Sequence, residues 1–224
     1  MFDQMSTNPW FRALPLTDQL AMLSRGERVA LRLGEALFHQ GREQPGFFGL
    51  VSGALKISTL REDGREAILA VIEPGNWFGE VSMIEGSPRS HYVAALQPSQ
   101  LLLIAPLLFE ELMQKREFSK AISSMLASRV TRLYSALEDA ILRSTRAQVA
   151  RRLLRLAEGD VSSIAATRTK ICVSHEDFSM MLGITRQTLA KELKALISAG
   201  AIVQGYGWID IVSIDALKQI AESL

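Results

Sequence analysis

A single cysteine, Cys172, stands among 224 residues. One thiol cannot close a disulfide within the chain, nor supply the four thiolates of an iron–sulfur cluster. A cluster-based sensor is therefore excluded, and a reducing cytoplasm is the expected setting. Glycine (15) and proline (7) are not in excess and apolar residues make up 48%, so little of the chain should be disordered. Long apolar runs are missing too. The longest, Leu101 to Phe109, has nine residues and contains Pro106, far short of the roughly 20 that span a bilayer. Residues 1–15 lack a basic stretch followed by an apolar one, so neither a secretion signal nor a membrane partner is expected. Neither sign of charge dominates the net of +1: residues 145–224 hold ten Lys and Arg against eight Asp and Glu, leaving 15 against 16 in the remainder. That imbalance of +2 against −1 is too small to announce nucleic acid, and the case must come from local patterning. No Ser/His/Asp set, carboxylate pair or Gly-Lys phosphate loop is present to suggest an enzyme. His39, His91 and His175 are too scattered for an expected metal site, with haem ligation left open as a minor alternative.

At about 100–200 residues per domain, the length implies two domains. A short helical opening, Leu16 to Arg25 with Thr17 as expected N-cap, precedes a change of character. From Val29 to about Leu103 the chain reads as short strands broken by turn residues. Leu55, Ile57 and Thr59 alternate with polar neighbours, then Glu62-Asp63-Gly64-Arg65 leads into an apolar run from Ala67 to Ile72. Asp-Gly between two such runs signals a hairpin, because both turn residues tolerate positive φ. Gly41, Gly46, Gly53, Gly75, Gly79 and Gly86 punctuate the region at close intervals, which implies a rolled antiparallel sheet rather than strand–helix–strand units.

Near Pro106 the period changes from 2 to 3.6. A short helix is expected over 107–115, then a long one from Lys120 to Ser144, without Gly or Pro. Its apolar positions Leu126, Val130, Leu133, Leu137 and Ala140 recur at spacings of 4, 3, 4 and 3. That heptad seam is the narrow stripe which two parallel helices bury against each other. Arg129, Arg132, Glu138 and Asp139 fall on the opposite face and read as solvated, which favours a homodimer over a helix packed on its own domain.

A break near Arg143 to Thr145 is followed by a helix over Gln148 to Ala157 and a short strand over Ile171 to Val173. Ser174-His175-Glu176-Asp177 then opens a helix with a capping pattern, and Phe178, Met181 and Leu182 form its apolar face. Gly183 suits its C-cap. Thr185 N-caps a second helix through Leu189, Leu193 and Ile197, ending at Gly200. Two helices joined by a three-residue turn containing Gly have the helix-turn-helix signature, and Ala201 to Val212, with Gly205-Tyr206-Gly207 at the tip, reads as a wing. Arg186, Gln187, Thr188, Lys191 and Lys194 line the outward face of the second helix. Arg and Gln at its N-terminal turn suit guanine and adenine edges, and the two lysines suit bases or phosphates. Thr185, Arg186, Gln187, Thr188, Lys191, Lys194 and Tyr206 are the candidate DNA contacts. The expected fold class is α+β: an antiparallel, jelly-roll-like β-roll with effector function (residues 1–116), a dimerisation helix and hinge (117–144), and a winged helix-turn-helix (145–224).

The run Trp77-Phe78-Gly79-Glu80-Val81-Ser82-Met83-Ile84-Glu85-Gly86-Ser87-Pro88-Arg89-Ser90 carries the second candidate site. Gly79 permits close backbone approach, residues 80–85 suit one helical turn whose free N–H groups favour an anion, and Gly86 with Pro88 returns Arg89 to the same spot. A guanidinium fork fits phosphate oxygens, and the Glu80 carboxylate fits a ribose hydroxyl. This run resembles the phosphate-binding cassette of cyclic-nucleotide-binding domains. From about Gly34 to Val212 the chain resembles the cAMP receptor protein/FNR family of bacterial regulators, with both motifs in the family's order. The resemblance implies that Gly79, Glu80, Arg89 and Ser90, with Val81 and Ser82 of the cassette turn, surround a cyclic phosphate and ribose. It also implies that Arg186, Gln187 and Lys191 hold base-reading positions. Three positions depart from the family. Leu133 and Tyr134, with Ser135 next, stand where a Thr-Ser pair recognises adenine; His91 replaces a small residue; and Gln187 replaces a frequent Glu.

Cyclic AMP, cyclic GMP, cyclic di-GMP, another small effector, or none at all remain open, and Tyr134 and Ser135 are candidate effector contacts from the long helix. The expected function is a cytoplasmic homodimeric transcription regulator of a palindromic operator, with RNA polymerase as a further partner and no metal. The rival expectation is a cyclic-nucleotide sensor acting on a partner protein.

Overall fold

The computed structural model describes residues 5–43, 45–60, 66–161 and 168–223. Two short helices, α1 (Pro9–Arg12) and α2 (Leu16–Arg25), lead into eight strands: β1 (Glu27–Leu31), β2 (Ala36–Phe38), β3 (Phe47–Ser52), β4 (Leu55–Leu60), β5 (Glu66–Ile72), β6 (Trp77–Phe78), β7 (Tyr92–Ala95) and β8 (Ser99–Ile104). They form two antiparallel four-stranded sheets in the orders β1-β8-β3-β6 and β2-β7-β4-β5. A short helix, α3 (Glu80–Glu85), interrupts the roll between β6 and β7.

Neighbouring residues on the first sheet serve different cores. Phe48, Leu50 and Phe78 point between the sheets with Phe38, Leu55, Ile72 and Leu101. Phe47 and Trp77 point outward, into an aromatic cluster with Phe11 and Phe118. Trp77 stacks against Phe11 at 5.4 Å and Phe47 at 5.3 Å between ring centroids. The outer face is thus roofed by α1, α2, α4 (Pro106–Met113) and the start of α5 (Arg116–Leu142), so this sheet is buried on both sides. That explains its unbroken apolar runs.

Three local expectations need correction. α2 begins after Pro15 with no side-chain cap, so Thr17 is not its N-cap; Pro15 supplies a pre-set φ and the cap falls two residues earlier. Alternation in β4 breaks at a bulge between Ile57 and Ser58, which buries Leu55 and Ser58 instead of keeping Leu55, Ile57 and Thr59 on one face. The long helix spans Arg116–Leu142, starting earlier than the apolar seam implies, because Phe118 and Ile122 anchor its first turns in the aromatic cluster. The expected Asp63-Gly64 turn lies outside the described residues; the strands flanking it pair from Leu60 with Glu66 onward.

Beyond Leu142 the backbone leaves the helix at Arg143, and Ser144 caps α6 (Thr145–Glu158), its hydroxyl accepting from the Ala147 amide at 3.3 Å. Strand β9 (Lys170–Cys172), α7 (His175–Leu182), α8 (Arg186–Ser198), β10 (Ile202–Gly205), β11 (Trp208–Ile211) and α9 (Ile214–Glu222) complete the chain, with sheet order β10-β11-β9. Val149, Leu153, Phe178, Leu189, Leu193, Ile209 and Leu217 form the core of this C-terminal unit. Among the described residues, no helix is long and apolar enough to cross a membrane.

Candidate functional site

In the cassette, Gly79 adopts φ +97° and hands the chain to α3. A Cβ there would lie 2.7 Å from the Gly46 carbonyl oxygen and 3.0 Å from an Arg89 nitrogen, so only glycine admits both neighbours. Arg89 is 4% exposed. It donates to the Gly79 carbonyl at 3.1 Å, to Ser82 Oγ at 2.7 Å and to the Gly46 carbonyl at 2.7 Å. Its guanidinium also lies 4.2 Å from the centre of the Phe38 ring and 5.6 Å from that of Phe48. Burial holds the group down at about 10, with the nearby Glu80 carboxylate pulling it back up, so it stays cationic at neutral pH.

Glu80 is 1% exposed. One carboxylate oxygen pairs with Arg129 of α5, whose guanidinium also reaches the Trp77 carbonyl. The other, Oε2, is buried with no hydrogen-bond donor among the described residues. Arg129 is therefore not on a solvated face. Asp139 is not either: it is 4% exposed and receives Arg143 at 2.7 Å, Arg151 at 3.3 Å, and Arg155. Arg132 donates to the Gly159 carbonyl at 3.2 Å. Arg129, Arg132 and Asp139 are thus engaged by their own chain and Glu138 is exposed as expected, while the seam residues Val130, Leu133, Leu137 and Ala140 are exposed and Leu126 is half-buried. No spacing rule flags Arg129, because its partner lies 49 residues away.

The remaining cassette candidates diverge. Val81 is exposed, and Ser90 Oγ sits 2.8 Å from His91 Nδ1, whose imidazole pKa burial lowers from its ordinary value. Tyr134 is 69% exposed and Ser135 half-exposed, and neither makes a hydrogen bond to the cassette among the described residues. The single chain therefore does not bring them to the cassette by hydrogen bonds among the described residues.

At the other end, Ser174 Oγ accepts from the Asp177 amide at 3.0 Å and Thr185 Oγ1 from the Thr188 amide at 3.1 Å, so both helices of the helix-turn-helix are capped by side chains. Gly183, at φ +64°, ends α7 in the left-handed conformation, its amide donating to the Ser179 carbonyl. Thr185, Arg186, Gln187, Lys191 and Lys194 are exposed along one face of α8 and Thr188 is half-exposed, while Leu189 and Leu193 are buried on the other. Arg186 pairs with the exposed Glu176 of α7. Tyr206 stands fully exposed at the wing tip, and Lys170 lies 4.6 Å over the Trp208 ring at the wing's base. Among the described residues no cluster of His, Cys, Asp and Glu could hold a metal ion.

A rolled sheet with a phosphate-type cassette, joined through a long helix to a winged helix-turn-helix, defines a regulator that senses through one unit and meets DNA through the other. Residues 28–116 match the family model for the cyclic nucleotide-binding domain and residues 147–220 that for the Crp-like helix-turn-helix domain. The chain belongs to the CRP/FNR family of transcriptional regulators. It is similar to the cyclic AMP receptor protein of Thermus thermophilus, 24% identical over 98% of this chain and 100% of the relative. It is likewise similar to the CRP-like cAMP-activated global transcriptional regulator of Mycobacterium tuberculosis, 26% identical over 81% of this chain and 82% of the relative. Among solved structures, a CRP-family transcriptional regulator of Thermus thermophilus superimposes with a TM-score of 0.70, at 25% identity over 87% of this chain and 97% of the other.

Proposed function

We propose that this chain acts as a homodimeric, cytoplasmic transcription regulator in which residues 1–116 receive an effector, 117–144 zip two subunits together, and 145–224 read a palindromic operator. The effector reading is a cyclic nucleotide, and one observation carries it: Glu80 Oε2 is a buried acceptor without a donor among the described residues, beside the buried cation of Arg89. Orphaned buried oxygens are rare and costly. A ribose hydroxyl donating to Glu80 would satisfy that oxygen, while a cyclic phosphate would meet Arg89 and the α3 amides. Ser82 and Ser90 would then supply hydroxyls, and Tyr134 and Ser135 would meet the base from the long helix.

A second reading, regulation without a nucleotide, draws support from Phe38 and the Gly46 and Gly79 carbonyls, which already engage the guanidinium. Thermal unfolding with cyclic AMP, cyclic GMP and cyclic di-GMP separates the two. Ligand at 100 times its Kd adds about 2.7 kcal/mol, which for a chain of this length raises Tm by about 5–11 °C. One of the three should produce that rise; three unmoved melting curves would leave the second reading standing.

For DNA, two copies of α8 in a symmetric dimer would enter successive major grooves about 34–36 Å apart. The Arg186–Glu176 pair is exposed on both sides, and such pairs are worth about 0–1 kcal/mol. It therefore yields readily to a guanine edge, where a bidentate contact contributes about 1–3 kcal/mol. Arg186→Ala should cut affinity for the selected palindrome by that amount per half-site and leave most non-specific binding intact. Equal losses on both kinds of DNA in a gel shift would remove its base-reading role. Recruitment of RNA polymerase at such operators is part of the same reading.

A further inference from the structure

Among the described residues strand β5 is an edge strand of its sheet, paired with β4 alone. Edge strands carry N–H groups with no strand to receive them. Here the C-terminal unit receives one: Asp160, just past α6, accepts the Val71 amide at 2.8 Å. The same carboxylate is held bidentately by Arg152 at 2.7 and 2.8 Å, and its side chain is 3% exposed. Two residues further along, Glu73 pairs with Arg168, which also donates to the Leu156 carbonyl at the end of α6 at 3.1 Å. The Val71 side chain is buried in the core of the C-terminal unit, with Leu153, Phe178 and Leu189. Its neighbour Ile72 is buried in the core of the roll, with Phe38, Phe48 and Phe78. Successive side chains of a strand point to opposite faces, so β5 is a wall shared by two cores.

We propose that the outer side of β5 is a docking surface for this chain's own DNA-binding unit, latched by Asp160, and that it couples the roll interior to the recognition helix by a route separate from the dimer seam. The direction of the coupling follows from exposure. With the unit docked, Arg186, Gln187, Lys191, Lys194 and Tyr206 all remain exposed. The contact grips the unit from behind and leaves its DNA face presented. Docking therefore favours DNA binding by fixing orientation in advance, and a displacement of Ile72 from inside the roll moves Val71 with it.

The coupling rests on the DNA-binding reading; the latch does not, and the test separates them. Amide hydrogen exchange is measured on the full chain, wild type against Asp160→Ala, with no DNA present. The Val71 amide should lose protection by at least about 10-fold, as expected for a hydrogen bond of about 1.4 kcal/mol to a charged acceptor, while amides of β5 bonded to β4 keep theirs. Equal exchange at Val71 in both proteins would overturn the latch. Because the substitution strands Arg152, Arg168→Gln serves as a second variant at a half-exposed position; it should loosen the same amide to a smaller extent, and no change there with an unfolded Asp160→Ala would also overturn it. Operator affinity of the folded variants should fall about 5–150-fold. Lost protection with unchanged operator affinity would overturn the coupling, and a wild type that selects no operator would count against the DNA reading alone.

Discussion

Leu133→Glu combined with Leu137→Glu should yield a folded monomer that no longer holds a palindromic operator. Both side chains lie on α5 and are 69% and 55% exposed in the single chain, so the substitutions remove little from its own core. In a parallel pair of helices they would instead place four carboxylates in one apolar seam, where like charges repel and water is excluded. Two linked half-site contacts exceed one by about 10²–10⁴ in apparent affinity, and a monomer forfeits that factor. Sedimentation at micromolar concentration reads the oligomeric state and a gel shift reads the operator. A double variant that sediments as a dimer would refute the seam, whatever its DNA affinity.

Asp139→Ala should cost the chain more stability than any surface charge removal. Asp139 stands in the last turn of α5 and gathers Arg143, Arg151 and Arg155, which tie the long helix to α6; Arg143 also donates to the Ala221 carbonyl of α9 at 2.7 Å. Burial lowers the Arg155 guanidinium, with Asp139 opposing that shift. Without the carboxylate, three cations face one another, with Asp160 left as the acidic group acting on Arg155. Removing one member of a buried pair costs about 3–5 kcal/mol, and the partial solvation of Arg151 and Arg155 puts this site near the lower end. For a chain of this size that corresponds to a Tm lowered by about 6–12 °C. Asp139→Asn, which still accepts hydrogen bonds, should lose less. A calorimetric shift for Asp139→Ala below about 2 °C would show the cluster to be incidental.

Much of the architecture was readable because its signals are local. The Asp177 amide lies three residues from its cap, Gly183 ends α7 in the one conformation that residue favours, and the seam of α5 repeats within two turns. The cassette glycine was legible too, though its tightest neighbours proved to be the chain's own Gly46 and Arg89. Other readings failed where tertiary contacts outweigh spacing. Thr17 has good capping chemistry, yet α2 starts behind Pro15. Arg129 and Asp139 look solvated on a helical wheel, since a wheel shows which residues share a face but not what covers it. Packing against the roll and α6 turns that polar face into buried ion pairs.

Chain-local chemistry alone therefore dictated the order of elements, the caps and turns of the helix-turn-helix, the apolar stripe of α5 and the Gly79–Arg89 run, since each depends on residues a few positions apart. Three-dimensional packing settled the pairing of Glu80 with Arg129 across 49 residues, the stacking of Arg89 on Phe38, and the hold of Asp160 on β5 across 89. Such contacts depend on where separately formed surfaces come to rest. That is a sum over the whole molecule, and no window of sequence contains it.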